Sequence, residues 1–277
     1  MAVLLALLAA AFSGSGDFLG GFASRRGRVM AVVFVNHIAG VVTVLALGPL
    51  FGGRLDGTTV LWGSFAGVSG SLAVIALYSG FARSSIAVVS PIAAVGAGVW
   101  PVLWQVLGGD VPGPIVVMGL VLGLIAIWTI SSGDHLHDAE NVRTGVIFGL
   151  LAGLGFGGLL IFLSLASDTS GIWAMLPARF VGALVLLVVV RAMRRDLVPK
   201  RDSLLPSIGA GVLVTLGNGM FLLAVAEGSL AVVSVIAAMF PAATVLLAWV
   251  VLGERLTTQR RVGLVLALVA VGLVAGG

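Results

Sequence analysis

Apolar residues fall into ten stretches along the chain, separated by short polar breaks: 2–22, 29–51, 60–82, 84–107, 112–132, 144–166, 171–193, 204–227, 229–252 and 258–276. Each is near the roughly 20 residues that a helix needs to cross a hydrocarbon layer. None shows the ten-residue strict alternation of a membrane β-strand. The pattern predicts an all-α membrane protein of ten transmembrane helices. The breaks are too short for a soluble domain, and the longest runs from Gly133 to Arg143.

The stretches form two sets of five. Ala87-Val88-Val89-Ser90 recurs as Ala231-Val232-Val233-Ser234, an offset of 144 residues (231 less 87). Gly119-Leu120-Val121-Leu122 recurs as Gly263-Leu264-Val265-Leu266 at the same offset, and Phe12, Gly14 and Phe18 meet Phe156, Gly158 and Phe162. The predicted organisation is a first repeat over 1–133, a linker over 134–143 and a second repeat over 144–277. An odd number of spans per repeat turns the second copy upside down. Inverted repeats around a midplane site are a mark of secondary transporters.

Composition agrees with a lipid solvent. Hydrophobic residues make up 60% of the 277 and charged residues 9%, with a mean hydropathy of +1.21, whereas a soluble domain carries about 25% charged residues. There are no cysteines, which excludes disulfides, thiolate nucleophiles and cysteine zinc sites. The first stretch lacks a basic leader segment, and Arg25, Arg26 and Arg28 follow it instead. It is therefore expected to be a retained helix and not a signal peptide.

The pI near 11 is a topology signal rather than a nucleic-acid footprint. Arg25, Arg26, Arg28, Arg83, Arg143, Arg191, Arg194, Arg195, Lys200, Arg201, Arg255, Arg260 and Arg261 all fall on the side opposite the N-terminus. Only Arg54 and Arg179 do not. Cytoplasmic loops carry the excess of Lys and Arg, so the basic side is expected in the cytoplasm of a cell-membrane protein, with both termini outside.

Small residues predict how the helices touch. Gly145, Gly149, Gly153 and Gly157 recur every four residues, on one helix face, and form a seam for close packing in lipid. Pro91, Pro101, Pro177 and Pro241 lie inside stretches, where each removes a backbone hydrogen bond and marks a candidate hinge or cavity wall. Trp62, Trp128, Trp173 and Trp249 sit near segment ends, where interfacial aromatics belong. Gly14-Ser15-Gly16-Asp17-Phe18-Leu19-Gly20 has the wrong spacing and no preceding strand for a phosphate loop.

Ionisable groups at membrane depth are the functional candidates. At 1.5 Å per residue, Asp17 lies about 8 Å from the basic end of the first stretch and His37 about 12 Å from that of the second. Arg179 lies about 12 Å from the opposite end of the seventh, level with Asn218. Arg179 keeps its proton and needs an anion, either a protein carboxylate such as Asp17 or a cargo carboxylate. His37 can serve as a neutral hydrogen-bonding residue, and Asp17 can pair with Arg25 or Arg26. Asp17 with His37 could also exchange protons, and uniport fits equally well. A two-residue gap in the repeat makes His37 and Arg179 equivalent. Glu227 and Glu254 close their segments as anchors or gates.

Ala76-Leu77-Tyr78, the small residues Ser85 to Ser90, Pro91 and Gly109-Asp110, echoed by Glu227-Gly228-Ser229 to Ser234, Pro241 and Gly253-Glu254-Arg255, resemble the EamA-like branch of the drug/metabolite transporter superfamily. The resemblance covers the whole chain. It implies two inverted five-helix repeats around a cavity lined by the first, third, fourth, sixth, eighth and ninth helices. Tyr78, Ser90, Trp100 and Asn218 become wall candidates. It also implies export of a small metabolite, amino acids among the candidates, by alternating access, with no enzyme activity, cofactor, metal or nucleic-acid partner and with a monomer sufficient. Many relatives carry a Lys near the end of the first helix, where this chain has only Asp17. Two alternatives stay open: efflux of lipophilic cations, for which Asp17 is the available carboxylate, and a membrane-embedded enzyme. The second would use Asp134, His135, His137, Asp138 and Glu140, a cluster that reads as a solvated linker. A reporter active only in the cytoplasm is expected to stay silent when fused to the C-terminus, and activity there would reverse the orientation.

Overall fold

A computed structural model describes residues 1–83, 86–131, 139–166, 170–193, 197–252 and 257–276. Among them there are eleven α-helices and no strand. They are α1 (Ala2–Arg26), α2 (Val29–Leu47), α3 (Gly57–Arg83), α4 (Ile86–Leu107), α5 (Pro114–Ser131), α6 (Ala139–Leu165), α7 (Met175–Ala192), α8 (Arg201–Ala226), α9 (Leu230–Ala237), α10 (Phe240–Leu252) and α11 (Thr258–Gly276). The ten expected stretches are all helical, and α9 and α10 are two halves of the ninth. Six helical segments are long and apolar enough to cross a membrane, within 2–24, 29–50, 57–77, 143–165, 171–192 and 201–226. The other four are apolar but shorter.

Local chemistry sets the boundaries. Asp56 caps α3, its Oδ1 accepting from the Thr59 backbone N–H at 2.8 Å and from Thr59 Oγ1 at 2.8 Å, which satisfies a donor the helix cannot. Pro49 closes α2 by way of a short 3-10 turn, Gly48–Leu50. Another 3-10 turn, Gly171–Ala174, leads into α7. The helix between 230 and 252 breaks at Ala238 and Met239, just before Pro241. There the Met239 N–H turns to the Ile236 carbonyl instead of the one four residues back. The other prolines do not break their helices. Pro91 and Pro101 lie inside a continuous α4, and Pro177 sits in the first turn of α7, where the missing N–H costs little.

The main packing pairs are α1 with α8, α3 with α6, α4 with α6, and α5 with α11. Around these, α2 and α7 touch each other, α2 also touches α8, and α3 also touches α7. Loop contacts define the two ends of the bundle. Gly53 (φ +82) and Gly171 (φ +50) meet at Ser170, Gly48 lies under Trp173, and Gly228 lies against Ala2. These mark the end that carries the N-terminus. Gly27 against Ser203 marks the basic end. There Arg26 sits 3.9 Å over the Phe22 ring and Arg83 5.2 Å over Phe148.

An aromatic cluster lies toward the N-terminal end. Trp62 stacks on Phe162 with centroids 6.0 Å apart, and Phe65 joins them at 5.9 and 5.6 Å. Gln105, at the end of α4, caps a different helix. Its Oε1 accepts from the Ala231 N–H at 2.6 Å and from Ser229 Oγ at 2.8 Å, while its Nε2 donates to Asp110 Oδ2 at 2.8 Å.

Lipid tails supply no hydrophobic drive between helices, so association depends on close van der Waals packing. The α6 glycines supply it. A Cβ on Gly149 would sit 2.8 Å from Ile92 Cβ, one on Gly153 3.0 Å from Gly96 Cα, and one on Gly157 2.5 Å from Trp100 Cβ. Gly155 turns the opposite way, toward Ala73 and Ser69 of α3. One helix is thus gripped on two faces. We expect Gly153→Val to destabilise the purified protein by about 1–3 kcal/mol, the usual cost of overpacking, read as a lowered melting temperature in detergent. Gly21→Ala, where a Cβ meets nothing within 4 Å, should be neutral or slightly stabilising.

Candidate functional site

A cavity of about 90 Å³ lies at mid-depth between α1, α2, α3, α6, α7 and α8. By the volume one buried water needs, it holds several waters or the polar head of a small metabolite. Its polar wall is Asp17, Asn36, His37, Ser71, Arg179 and Asn218, and Phe156 and Leu159 are part of its apolar wall. It extends toward the basic end past Val33, Val74 and Leu77.

Packing presets the polar groups. The His37 ring is 6% exposed. Its Nδ1 lies 2.9 Å from the Val33 carbonyl, which can only accept, so Nδ1 carries the proton. Nε2 is then the acceptor and faces Ser71 Oγ at 3.4 Å. The ring lies directly against Gly182 of α7, where a Cβ would collide with Cδ2 and Nε2. The stem of Arg179 runs over α2 in the same manner. A Cβ on Gly40 would meet its Cδ at 2.8 Å and its Cγ at 3.0 Å. The α2–α7 pair therefore approaches closely at two glycines, one on each helix, and each glycine receives the other helix's polar side chain.

Arg179 is 7% exposed and underbonded. Nη1 donates to Asn36 Oδ1 at 3.3 Å, while Nε and Nη2 are buried with no hydrogen-bond partner. Asp17 lines the same cavity and lies within electrostatic reach of the guanidinium, yet no ion pair joins them. Thr215 Oγ1, which packs against the same glycine as the Arg179 stem, is also buried and unpartnered. A guanidinium with two idle donors is a cation held ready for an oxyanion. Asp17, which lines the same cavity, offers the opposite charge.

Four expected site residues meet here: Asp17, His37, Arg179 and Asn218. Trp100 goes elsewhere, packing on Gly157 at the α4–α6 seam with 41% of its surface exposed. The side chains of Tyr78 and Ser90, residues 134–138 of the linker and Glu254 lie outside the described residues, as does the Glu140 side chain. Among the described residues, none of α4, α9 or α10 lines this cavity, whereas residues of α2 and α7 do. Asn36 and Ser71 are site residues that the sequence did not single out. Their signal was a polar side chain in an otherwise apolar run.

Helices of this length and apolarity are those of a multi-pass α-helical membrane protein. Residues 143–276, just under half of the chain, match the model of the EamA-like transporter family. The chain is similar to an uncharacterized protein of Methanocaldococcus jannaschii, 24% identical over 132 residues, 48% of this chain and 96% of the relative. A protein of known crystal structure shares the fold, with a TM-score of 0.78 over 98% of this chain and 95% of its own at 14% identity.

If the two close approaches hold α2 on α7, Gly182→Ala should displace the His37 ring. The outcome expected is a shift of its imidazole proton resonances and a protein that still folds. An unchanged spectrum would mean that the ring does not rest on Gly182.

Proposed function

We propose that the chain is a secondary transporter that carries a small zwitterionic metabolite, amino acids foremost, across the cell membrane by alternating access, with export as its direction. The observation that carries this reading is Arg179, buried at the cavity wall with Nε and Nη2 unbonded while Asp17 faces the same space. A carboxylate fits the guanidinium and an ammonium fits Asp17. A lipophilic cation fits less well, because the fixed charge of Arg179 opposes it.

Several features support two inverted repeats, 1–133 and 144–277, rocking about this cavity. Under the 144-residue offset the pair α1–α8 exchanges with α6–α3, and α2–α8 exchanges with α7–α3. The pairs α2–α7 and α5–α11 map onto themselves. The family match begins at residue 143, and a relative is about as long as one repeat. An aromatic cluster toward the N-terminal end and a cavity extending toward the basic end fit one limb of the cycle, with the basic face placed in the cytoplasm. Cargo would enter from that face. Asp17 and His37 supply the titratable pair for proton exchange, if transport is coupled.

The test uses purified protein in proteoliposomes with L-alanine, L-threonine and L-phenylalanine, each compared with its amide and its des-amino acid. The zwitterions should be taken up and should stabilise the protein, and the singly charged analogues should compete poorly. Arg179→Gln should weaken affinity about 10–100-fold, the worth of a charge-assisted hydrogen bond. Full transport by that variant would remove Arg179 from the site. Asp17→Asn should abolish uptake driven by a pH gradient while sparing passive exchange if protons are coupled.

A further inference from the structure

Arg179 is held by an amide where a carboxylate would have been the obvious partner. Asn36 supplies it, with Oδ1 turned to Nη1 at 3.3 Å. The backbone at Asn36 is fixed from behind. A Cβ on Gly211 of α8 would strike the Asn36 carbonyl oxygen and come within 2.9 Å of its Cα. With Oδ1 committed to Arg179, the two N–H donors on Nδ2 remain. No hydrogen bond among the described residues uses them, and Asn36 lines the cavity. The guanidinium and the amide therefore hold unbonded donors on adjoining helices at one cavity wall: Nε and Nη2 on α7, Nδ2 on α2.

Resting on the transport reading above, we propose that Asn36 is a specificity-determining residue. It orients Arg179, adds its own N–H to the same cargo carboxylate, and by being neutral keeps the site cationic. An acid at this position would satisfy the guanidinium permanently and leave nothing for a cargo anion. An apolar residue would free Arg179 to swing toward Asp17, cancelling both charges that read the cargo. The repeat sharpens the point. At the gapped offset that aligns His37 with Arg179 (142, from 179 less 37), Asn36 aligns with Ala178. Ala178 also lines the cavity but has no polar group. The donor pair spans the two halves, and at this offset its image is His37 with Ala178, which does not repeat it.

The experiment measures competition of L-alanine and L-alaninamide against labelled L-alanine on purified protein in proteoliposomes. It is run on unsubstituted protein and on Asn36→Asp, with folding checked by size-exclusion profile and melting temperature. L-Alanine should bind better than L-alaninamide to the unsubstituted protein. Asn36→Asp should weaken L-alanine at least 30-fold and leave L-alaninamide equal or better, so that the preference inverts. Loss of both ligands by the same factor, or an unchanged preference, would overturn the assignment while leaving the transport reading standing. Failure of the unsubstituted protein to bind L-alanine or any other carboxylate of the panel would overturn both. If Asn36→Asp does not fold, Asn36→Ser takes its place. It should lose about 3–10-fold for L-alanine with L-alaninamide unchanged, and an unaltered L-alanine affinity overturns the assignment.

Discussion

A guanidinium keeps its proton at any depth in a protein, and a charge inside a membrane must find a partner or a polar cavity. Arg179 answers to both conditions, and much of the site follows from it. Its stem needs a groove, which Gly40 provides by having no side chain. Its head needs an acceptor, which Asn36 provides without cancelling the charge. The residual positive field needs room, which the cavity provides, and Asp17 shares that room. A carboxylate in direct contact would have made a stable and inert pair. The amide leaves a charge that, on the proposed reading, a cargo carboxylate completes.

The same economy governs the packing. With lipid on all sides, helices gain by approaching closely, and the chain places glycines where they must. On α6 they face α4 at Gly149, Gly153 and Gly157 and α3 at Gly155. Between α2 and α7 they sit under the polar side chains themselves, Gly40 beneath Arg179 and Gly182 against His37. The second use couples scaffold to chemistry. Any slide of α7 along α2 moves both polar groups, because each is lodged in the other helix. Rigid helix motion and a change in the site are then one event.

Much of this was legible in the sequence. The apolar stretches foretold the helices because hydropathy alone decides what lipid admits, and the α6 seam was visible in its four-residue spacing. Asp17 and His37 were visible as polar groups at one depth, and Arg179 and Asn218 at another on the far side of the midplane. Two things were not. Depth along a helix axis can be counted, but azimuth across a bundle depends on neighbours, so Trp100 passed for a cavity residue while it packs on Gly157. Asn36, one residue from His37 and about 100° around the helix, passed for a bystander, yet both reach one cavity because α7 lies over the edge they share. Proline was equally equivocal. Pro241 ends a helix and Pro91 does not, because only the surroundings decide whether the freed carbonyl is tolerated.

On the proposed two-repeat organisation, function accumulates where the two copies differ. Asp17 corresponds to Ile161, His37 to Arg179 and Asn36 to Ala178, so the polar wall is asymmetric in a frame whose packing pairs exchange. The ends differ as well. Gln105 ties α4 to the start of α9 with two accepted hydrogen bonds, and its counterpart at the 144-residue offset is Trp249, whose indole can donate but not accept. On the proposed two-repeat reading, the polar wall and the tie between α4 and α9 both arise in the same way, by single substitutions on a shared frame.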